Sequence, residues 1–281
     1  MQLPDEPTRT RMEDAHATAA AHLGVTCTGR PAWGFAGSTI GRRAGTLWLR
    51  VASTSPSSTR KRGHGITGAD ALVPEDVPRP RLRGVLDWTG GGHGYQADLL
   101  DYVTDPVVSD HPDLATDPGL PDSWWRSLRS AVESLATAQG MRTTVRDAWI
   151  ERAFPQYLGV PAPRTVERVT GHGDFHWANL NGPTLTILDW ERWGLVPIGF
   201  DAGMLHANSL RVPAVAARIR QDFAAVLATP AGRIGELTAL AEMLQAVARG
   251  WYPLLAGPLA DRARELTGVT PPQDAAPEVT G

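Results

Sequence analysis

Near the start of the chain Met12, Ala15, Ala19 and Leu23 fall at helical spacing and predict a short helix over residues 11–23. From Trp33 to Ala52 the rhythm changes. Gly34, Gly37, Gly41 and Gly45 punctuate short runs ending in Thr46-Leu-Trp-Leu-Arg-Val-Ala52, the texture of hairpin strands around glycine turns. A second strand pair is predicted at Arg81–Trp88 and Gln96–Val103, separated by Thr89-Gly-Gly-Gly-His-Gly94. Between the pairs, residues 53–80 are rich in Ser, Thr, Gly and Pro and read as a loop with at most one short helix near Gly68–Leu72.

After Asp105-Pro106 the period becomes helical. Asp122 or Ser123 is placed to cap a helix carrying Trp124, Leu128, Val132 and Leu135. Leu185–Leu188 reads as a short apolar strand. Val215, Ile219, Phe223 and Val226, then Leu237, Leu240, Met243, Leu244 and Val247, continue the helical spacing from Pro213 to about residue 267. Residues 270–281 are Pro, Ala and polar and are expected to form a disordered tail. No internal repeat supports a solenoid or propeller. The expected class is therefore α+β in a two-lobed outline, with a strand-rich N-lobe over 1–103 and a larger, mainly helical C-lobe over 104–269.

Composition narrows the partners. With 281 residues, 42% of them hydrophobic and 20% charged, the chain can bury a sizeable core. Its 27 basic and 30 acidic residues give a net charge of −3, without the basic excess of a nucleic-acid binder. The single cysteine, Cys27, allows no internal disulfide and no cysteine metal cluster. The polar, acidic N-terminal stretch lacks a signal-peptide core, and no run of about 18 apolar residues offers a membrane span. The expectation is a cytoplasmic protein with neither membrane nor nucleic acid as partner. Lys61 is the only lysine, so a site that needs an ammonium group has one candidate.

The chemistry concentrates in Thr170-Gly-His-Gly-Asp-Phe-His-Trp-Ala-Asn-Leu180 and Leu185-Thr-Ile-Leu-Asp-Trp-Glu191. Asp174, Asn179 five residues later, and Asp189 after a short hydrophobic stretch have the spacing that sets one acceptor-orienting carboxylate and two oxygen ligands for Mg²⁺ around a phosphoryl group. Such transfer asks mainly for alignment and charge neutralisation. His172, Asp174 and His176 also spell H-x-D-x-H, a second reading as a metallohydrolase, but the remaining histidines are scattered without ligand spacing.

His172-Gly-Asp-x-x-x-x-Asn179 and the downstream Leu-Asp-Trp-Glu191 resemble the catalytic and metal loops of the aminoglycoside phosphotransferase family, within the protein-kinase-like superfamily. Pro197-Ile-Gly-Phe-Asp-Ala202 is similar to that family's Asp-Pro-x-x-Asp-Leu-Ala stretch. The resemblance implies Asp174 as catalytic base, Asn179 and Asp189 as magnesium ligands, His172 as the residue that fixes the loop, and Asp201 as its brace. It implies ATP, with GTP as the alternative nucleotide, Mg²⁺, and a small hydroxylated acceptor. In the N-lobe it points to the Gly34-Phe-Ala-Gly-Ser38 turn, with Gly34, Gly37 and Ser38 over the phosphates. The backbone of Asp101 and Val103 would then lie against the base, with Tyr102 read as a core or rim aromatic. Where the family has a strand lysine this chain has Arg50, with Lys61 as an alternative and Asp70 or Glu75 as candidate acidic partners. Nine basic and three acidic residues between 41 and 83 add a local attraction for a nucleotide.

The expected activity is ATP-dependent transfer of the γ-phosphate to an alcohol. The alternative is a catalytically silent kinase-like relative that binds nucleotide or a protein partner and acts as a scaffold, and a protein partner is expected where the site is incomplete. Trp177, Trp190 and Trp193 have two readings, a wall for the acceptor or plain packing. The acceptor itself is open. A polycation would favour a carboxylate-lined pocket, whereas Asp222, Glu236, Glu242, Asp261 and Glu265 are dispersed among seven arginines between Arg211 and Gly268, leaving Glu191 as the best single anion.

Overall fold

The computed structural model describes residues 4–34, 37–57 and 64–272. Lys61, with Arg60 and Arg62, lies outside the described residues, as do Phe35, Ala36 and the tail beyond Pro272. The chain divides into two compact units. One comprises the described residues up to Ala71 with Arg79–Thr104, the other Leu72–Pro78 with the described residues from Asp105 onward.

The first unit opens with α1, Glu6–His22. It starts five residues before the predicted helix because Asp5 caps it, accepting the Thr8 N–H at 2.9 Å, with Glu6 and Pro7 in the first turn. Five antiparallel strands follow: β1 (Thr28–Trp33), β2 (Thr39–Ala44), β3 (Leu47–Thr54), β4 (Leu82–Gly90) and β5 (His93–Asp101), in the order β1-β2-β3-β5-β4. The second hairpin is tighter than its glycine run suggests. β4 and β5 extend through Thr89, Gly90, His93 and Gly94 and leave only Gly91-Gly92 as the turn. α1 lays Met12, Ala15 and Ala19 on one face of the sheet, against Ile40, Leu49, Val51, Ala97 and Leu99. The short helix of the Ser, Thr and Gly-rich segment is α2, Gly65–Leu72.

The second unit is mainly helical. α3 spans Asp122–Leu135 and buries Trp124, Trp125, Leu128, Ala131 and Leu135. Its N-cap is Pro121, without a side-chain cap bond; Asp122 is already helical and its carboxylate instead meets Arg218 at 2.9 Å. α4 (Asp147–Ala153) runs into one wide turn at Phe154–Leu158. Two four-residue strands, β6 (Arg168–Gly171) and β7 (Gly194–Pro197), pair with each other, followed by α5 (Phe200–Ala207), α6 (Pro213–Asp222), α7 (Ala224–Leu227), α8 (Pro230–Ala248) and α9 (Ala256–Thr267). α8 is capped by Thr229 and carries buried residues all round, as a central helix does. Phe200, Met204, Leu240, Leu255 and Leu259 belong to the core around it. Among the described residues no helix is long and apolar enough to cross a membrane.

Candidate active site

The register of β6 and β7, from Arg168↔Pro197 to Gly171↔Gly194, makes residues 172–193 a loop that leaves and returns at one point. At the neck, Gly173 has φ +79°, and a Cβ there would lie 2.5 Å from the Arg192 carbonyl oxygen, so only glycine fits. Asp201, in the first turn of α5, accepts the N–H groups of His172 at 2.6 Å and Gly173 at 3.0 Å. Burial pushes its carboxyl above the usual range, with His172 and the two donors working in the opposite direction. His172 is fully buried. Its Nδ1 accepts from the Asp174 N–H at 3.3 Å, which places the proton on Nε2, the donor to the Leu188 carbonyl at 2.8 Å. With both ring nitrogens engaged, the metallohydrolase reading loses its first ligand, and among the described residues no group of three His, Cys, Asp or Glu is placed to hold a metal.

Trp177–Asn179 forms a single 3-10 turn. Asn179 Nδ2 donates to the Asp174 carbonyl at 2.9 Å and lies 3.3 Å from His176 Nε2; Oδ1 takes part in neither contact. The predicted strand at Leu185–Leu188 does not form. The Leu188 N–H donates to the Asn179 carbonyl and the Asn181 N–H to the Thr186 carbonyl, the two bonds of the single bridge Leu180↔Ile187, while the Ile187 N–H points to the other side and donates to Pro78. Leu188 is thus bonded to His172 through its carbonyl and to Asn179 through its N–H. Asp189 is the next residue along the chain. Its backbone turns there with φ +57°, uncommon for a residue with a side chain, and its carboxylate is exposed with no hydrogen bond or ion pair to another described residue.

Asp174 Oδ1 lies 3.7 Å from Arg192 Nη1 and 3.8 Å from His176 Nε2. Burial draws the His176 imidazole below its ordinary range against the pull of Asp174. Arg192 reaches Glu242 of α8 with both terminal nitrogens, at 2.8 and 3.4 Å, and Glu242 holds its guanidinium above the usual range against the opposing effect of burial. Neither Arg192 nor Glu242 stood out in the sequence. The three tryptophans resolve as packing, since Trp177, Trp190 and Trp193 are 0%, 4% and 1% exposed. Trp177 donates from Nε1 to Ser209 Oγ at 2.8 Å, and its backbone N–H reaches the Pro112 carbonyl at 3.3 Å.

In the first unit, Gly34 and Gly37 bound the β1–β2 turn, and the turn's packing accounts for both: a Cβ on Gly37 would lie 2.6 Å from Pro4, and one on Gly34 would overlap the Thr39 hydroxyl. The Ser38 carbonyl accepts the Ser53 N–H at 2.8 Å. Arg50 stands in register with Asp98 on β5, 3.7 Å away, both of them largely buried. The candidate partner Asp70 is used elsewhere, its carboxylate accepting the Leu82 N–H at 3.1 Å. The Asp101 side chain is taken in a two-pronged pair by Arg83, at 2.7 and 2.8 Å. Tyr102 stacks on Trp48, beneath the Arg43 guanidinium, and its N–H bonds to Thr46, which leaves Val103 just past the ladder.

No protein-family model and no curated protein matches the sequence. Solved structures do match the fold. A thermostable mutant of aminoglycoside phosphotransferase APH(4)-Ia, in ternary complex with AMP-PNP and hygromycin B, superposes with a TM-score of 0.58 at 12% identity over 91% of this chain and 100% of its own. A choline/ethanolamine kinase family protein from Mesorhizobium loti gives 0.54 at 16% identity over 92% and 95%. The amicoumacin kinase hAmiN, in complex with AMP-PNP, Ca²⁺ and Ami, gives 0.56 at 12% identity over 97% of each chain. The chain has the α+β kinase fold of aminoglycoside-phosphotransferase-like proteins.

Proposed function

We propose that the chain transfers the γ-phosphate of ATP to a hydroxyl group of a small molecule. The observation that supports this reading is the double tether of Leu188, the residue before Asp189, to His172 and Asn179 on the loop that carries Asp174. The donor set suits magnesium, which takes hard oxygens from one or two side chains and completes its shell with phosphates and water. Asn179 through Oδ1 and Asp189 through its exposed carboxylate would hold it, and when bound it would neutralise charge on the phosphates.

Asp174 orients the acceptor hydroxyl and takes its proton as the oxygen attacks phosphorus. The new O–P bond forms while the bond from phosphorus to the bridging oxygen breaks, and ADP departs with that electron pair. The products are a phosphate monoester and ADP. His172 and Asp201 hold the loop, and Arg192, itself held by Glu242, steadies the Asp174 carboxylate. On this reading the first unit supplies nucleotide contacts: Arg50 with Gly34, Gly37 and Ser38 for phosphates, and the backbone of Asp101 and Val103 for the base. The solved neighbours bound to AMP-PNP together with hygromycin B or Ami support a nucleotide and a small-molecule acceptor.

Calorimetric titration with ATP tests the site. Saturable binding is expected with Mg²⁺ and is expected to weaken at least tenfold in Asp189→Asn; magnesium-independent binding, or an unaffected variant, would remove Asp189 from the metal site. Arg50 motivates the second reading, a silent relative, because a guanidinium meets phosphate with a different geometry from an ammonium. Arg50→Lys is expected to keep or raise acceptor-dependent ADP release. A folded Arg50→Lys protein with severely reduced release would show that the guanidinium itself is required.

A further inference from the structure

We infer that α1 positions the β1–β2 turn against the nucleotide phosphates, with Thr8 and Arg11 as its holds, an assignment that rests on the phosphotransferase reading above. The turn is bonded to itself: the Gly37 N–H donates to the Gly34 carbonyl at 3.1 Å and the Gly34 N–H to the Thr39 carbonyl at 3.0 Å. Gly37 and the exposed Ser38 are neighbours in it, so whatever grips these two sets where the turn stands. Both are gripped from α1. At Gly37, which is buried, a Cβ would lie 2.6 Å from Pro4 and 3.1 Å from the Thr8 methyl, so the backbone of the turn already rests on both residues. At Ser38 the hold is relayed. Arg11 Nη1 donates to Ser53 Oγ at 3.1 Å, and the Ser53 N–H donates to the Ser38 carbonyl at 2.8 Å.

The helix that supplies these holds is itself fixed to the sheet. Met12, Ala15 and Ala19 pack on it, the Asp5 cap accepts the Thr8 N–H, and His16 Nε2 donates to the Leu49 carbonyl of β3 at 3.2 Å. Arg11 meets no carboxylate among the described residues. Its guanidinium goes instead to neutral groups, Ser53 Oγ on β3 and the Tyr95 hydroxyl on β5 at 3.5 Å, beside the Met12 sulfur. A guanidinium is planar and rigid, so two such contacts fix its plane. Tyr95 is fixed in turn by stacking on Trp88 of β4 at 5.0 Å. A turn bounded by glycines and left without support loses conformational freedom when a ligand orders it, and that loss weakens binding. The hold from α1 orders the turn beforehand. Neither Arg11 nor Ser53 bonds to Asp101 or Val103, so their effect falls on the phosphates and spares the base. Both are positioning residues, acting through Ser38 rather than on the nucleotide.

The test is calorimetric titration with Mg²⁺–ATP, and with adenosine, which lacks the phosphates, measured as its competitor. Ser53→Ala and Arg11→Ala are each expected to weaken Mg²⁺–ATP binding about fivefold, the scale of one hydrogen bond, with adenosine affinity unchanged. The double variant is expected to bind no more weakly than the weaker single one, since both substitutions cut the same relay. Arg11→Lys, whose ammonium can still donate to the Ser53 hydroxyl, is expected to recover part of the loss. Should Arg11→Ala fail to fold, Ser53→Ala, which removes a single oxygen, decides alone. Unchanged Mg²⁺–ATP affinity in folded Ser53→Ala would overturn the assignment and leave the phosphotransferase reading in place. An equal loss for adenosine, or losses that add in the double variant, would overturn it too, because a general loosening of the first unit or two separate effects would then be at work. A native protein that binds no Mg²⁺–ATP would remove the reading on which the assignment rests.

Discussion

Asp174→Asn is expected to bind Mg²⁺–ATP as tightly as the native protein and to lose roughly 10²- to 10⁴-fold in kcat, the range set by removal of a general base. The amide has nearly the same shape, so the Asp174 N–H to His172 and the Asp174 carbonyl to Asn179 Nδ2 remain bonded and the loop keeps its form. What goes is the negative charge facing Arg192 and His176, and with it the group that receives the acceptor proton. Calorimetry for the nucleotide and single-turnover phosphorylation for the chemistry separate the two. Full turnover by Asp174→Asn would show that another group is the base.

Glu236→Gln is expected to destabilise the second unit by about 3 kcal/mol at neutral pH, the cost of breaking a buried ion pair. Glu236 is 1% exposed on α8, with Arg262 of α9 at 2.7 and 3.0 Å and His206 of α5 at 3.2 Å. These partners outweigh burial and hold its carboxyl down at about 2, against an ordinary value of 4.5. Because the folded value is the lower one, the stabilisation is complete above about pH 4.5 and is lost as pH falls toward 2. Urea titrations of both proteins should therefore show a gap that is full at pH 7, smaller at pH 3.5, and nearly closed at pH 2, where the native residue is itself about half protonated. An equal gap at pH 7 and pH 2.5 would mean that shape, not charge, ties the three helices.

The positions that sequence reading found, and those it missed, differ in how far apart their partners lie. His172, Asp174 and Asn179 share one loop, and the hairpin strands of the first unit carry local turn and period signals, so both were legible. The partner of Arg50 was not, because Asp98 is set by the pairing of β3 with β5 and nothing near Arg50 announces it. Arg192 and Glu242 meet across 50 residues, as a charged pair in a region where arginines and carboxylates are plentiful. β6 and β7 have four residues each, too few for a period of two to be read. The Leu185–Leu188 stretch has the composition of a strand but only a single bridge, Leu180↔Ile187, to complete it.

Trp177 begins the turn that carries Asn179, and its ring lies 6.0 Å from that of Trp124 at an interplanar angle of 16°, with Trp125 edge-on at 5.9 Å. Three indoles held this close and this rigidly share their electronic transitions, and coupled aromatic chromophores in a fixed chiral arrangement give circular dichroism in the near ultraviolet. Two of them stand on α3 and the third on the Trp177–Asn179 turn, so loosening the turn takes Trp177 out of the coupling even where the helices stay intact. The protein thus carries its own optical gauge of whether the residues that would grip the metal are in place, one that needs neither label nor substrate.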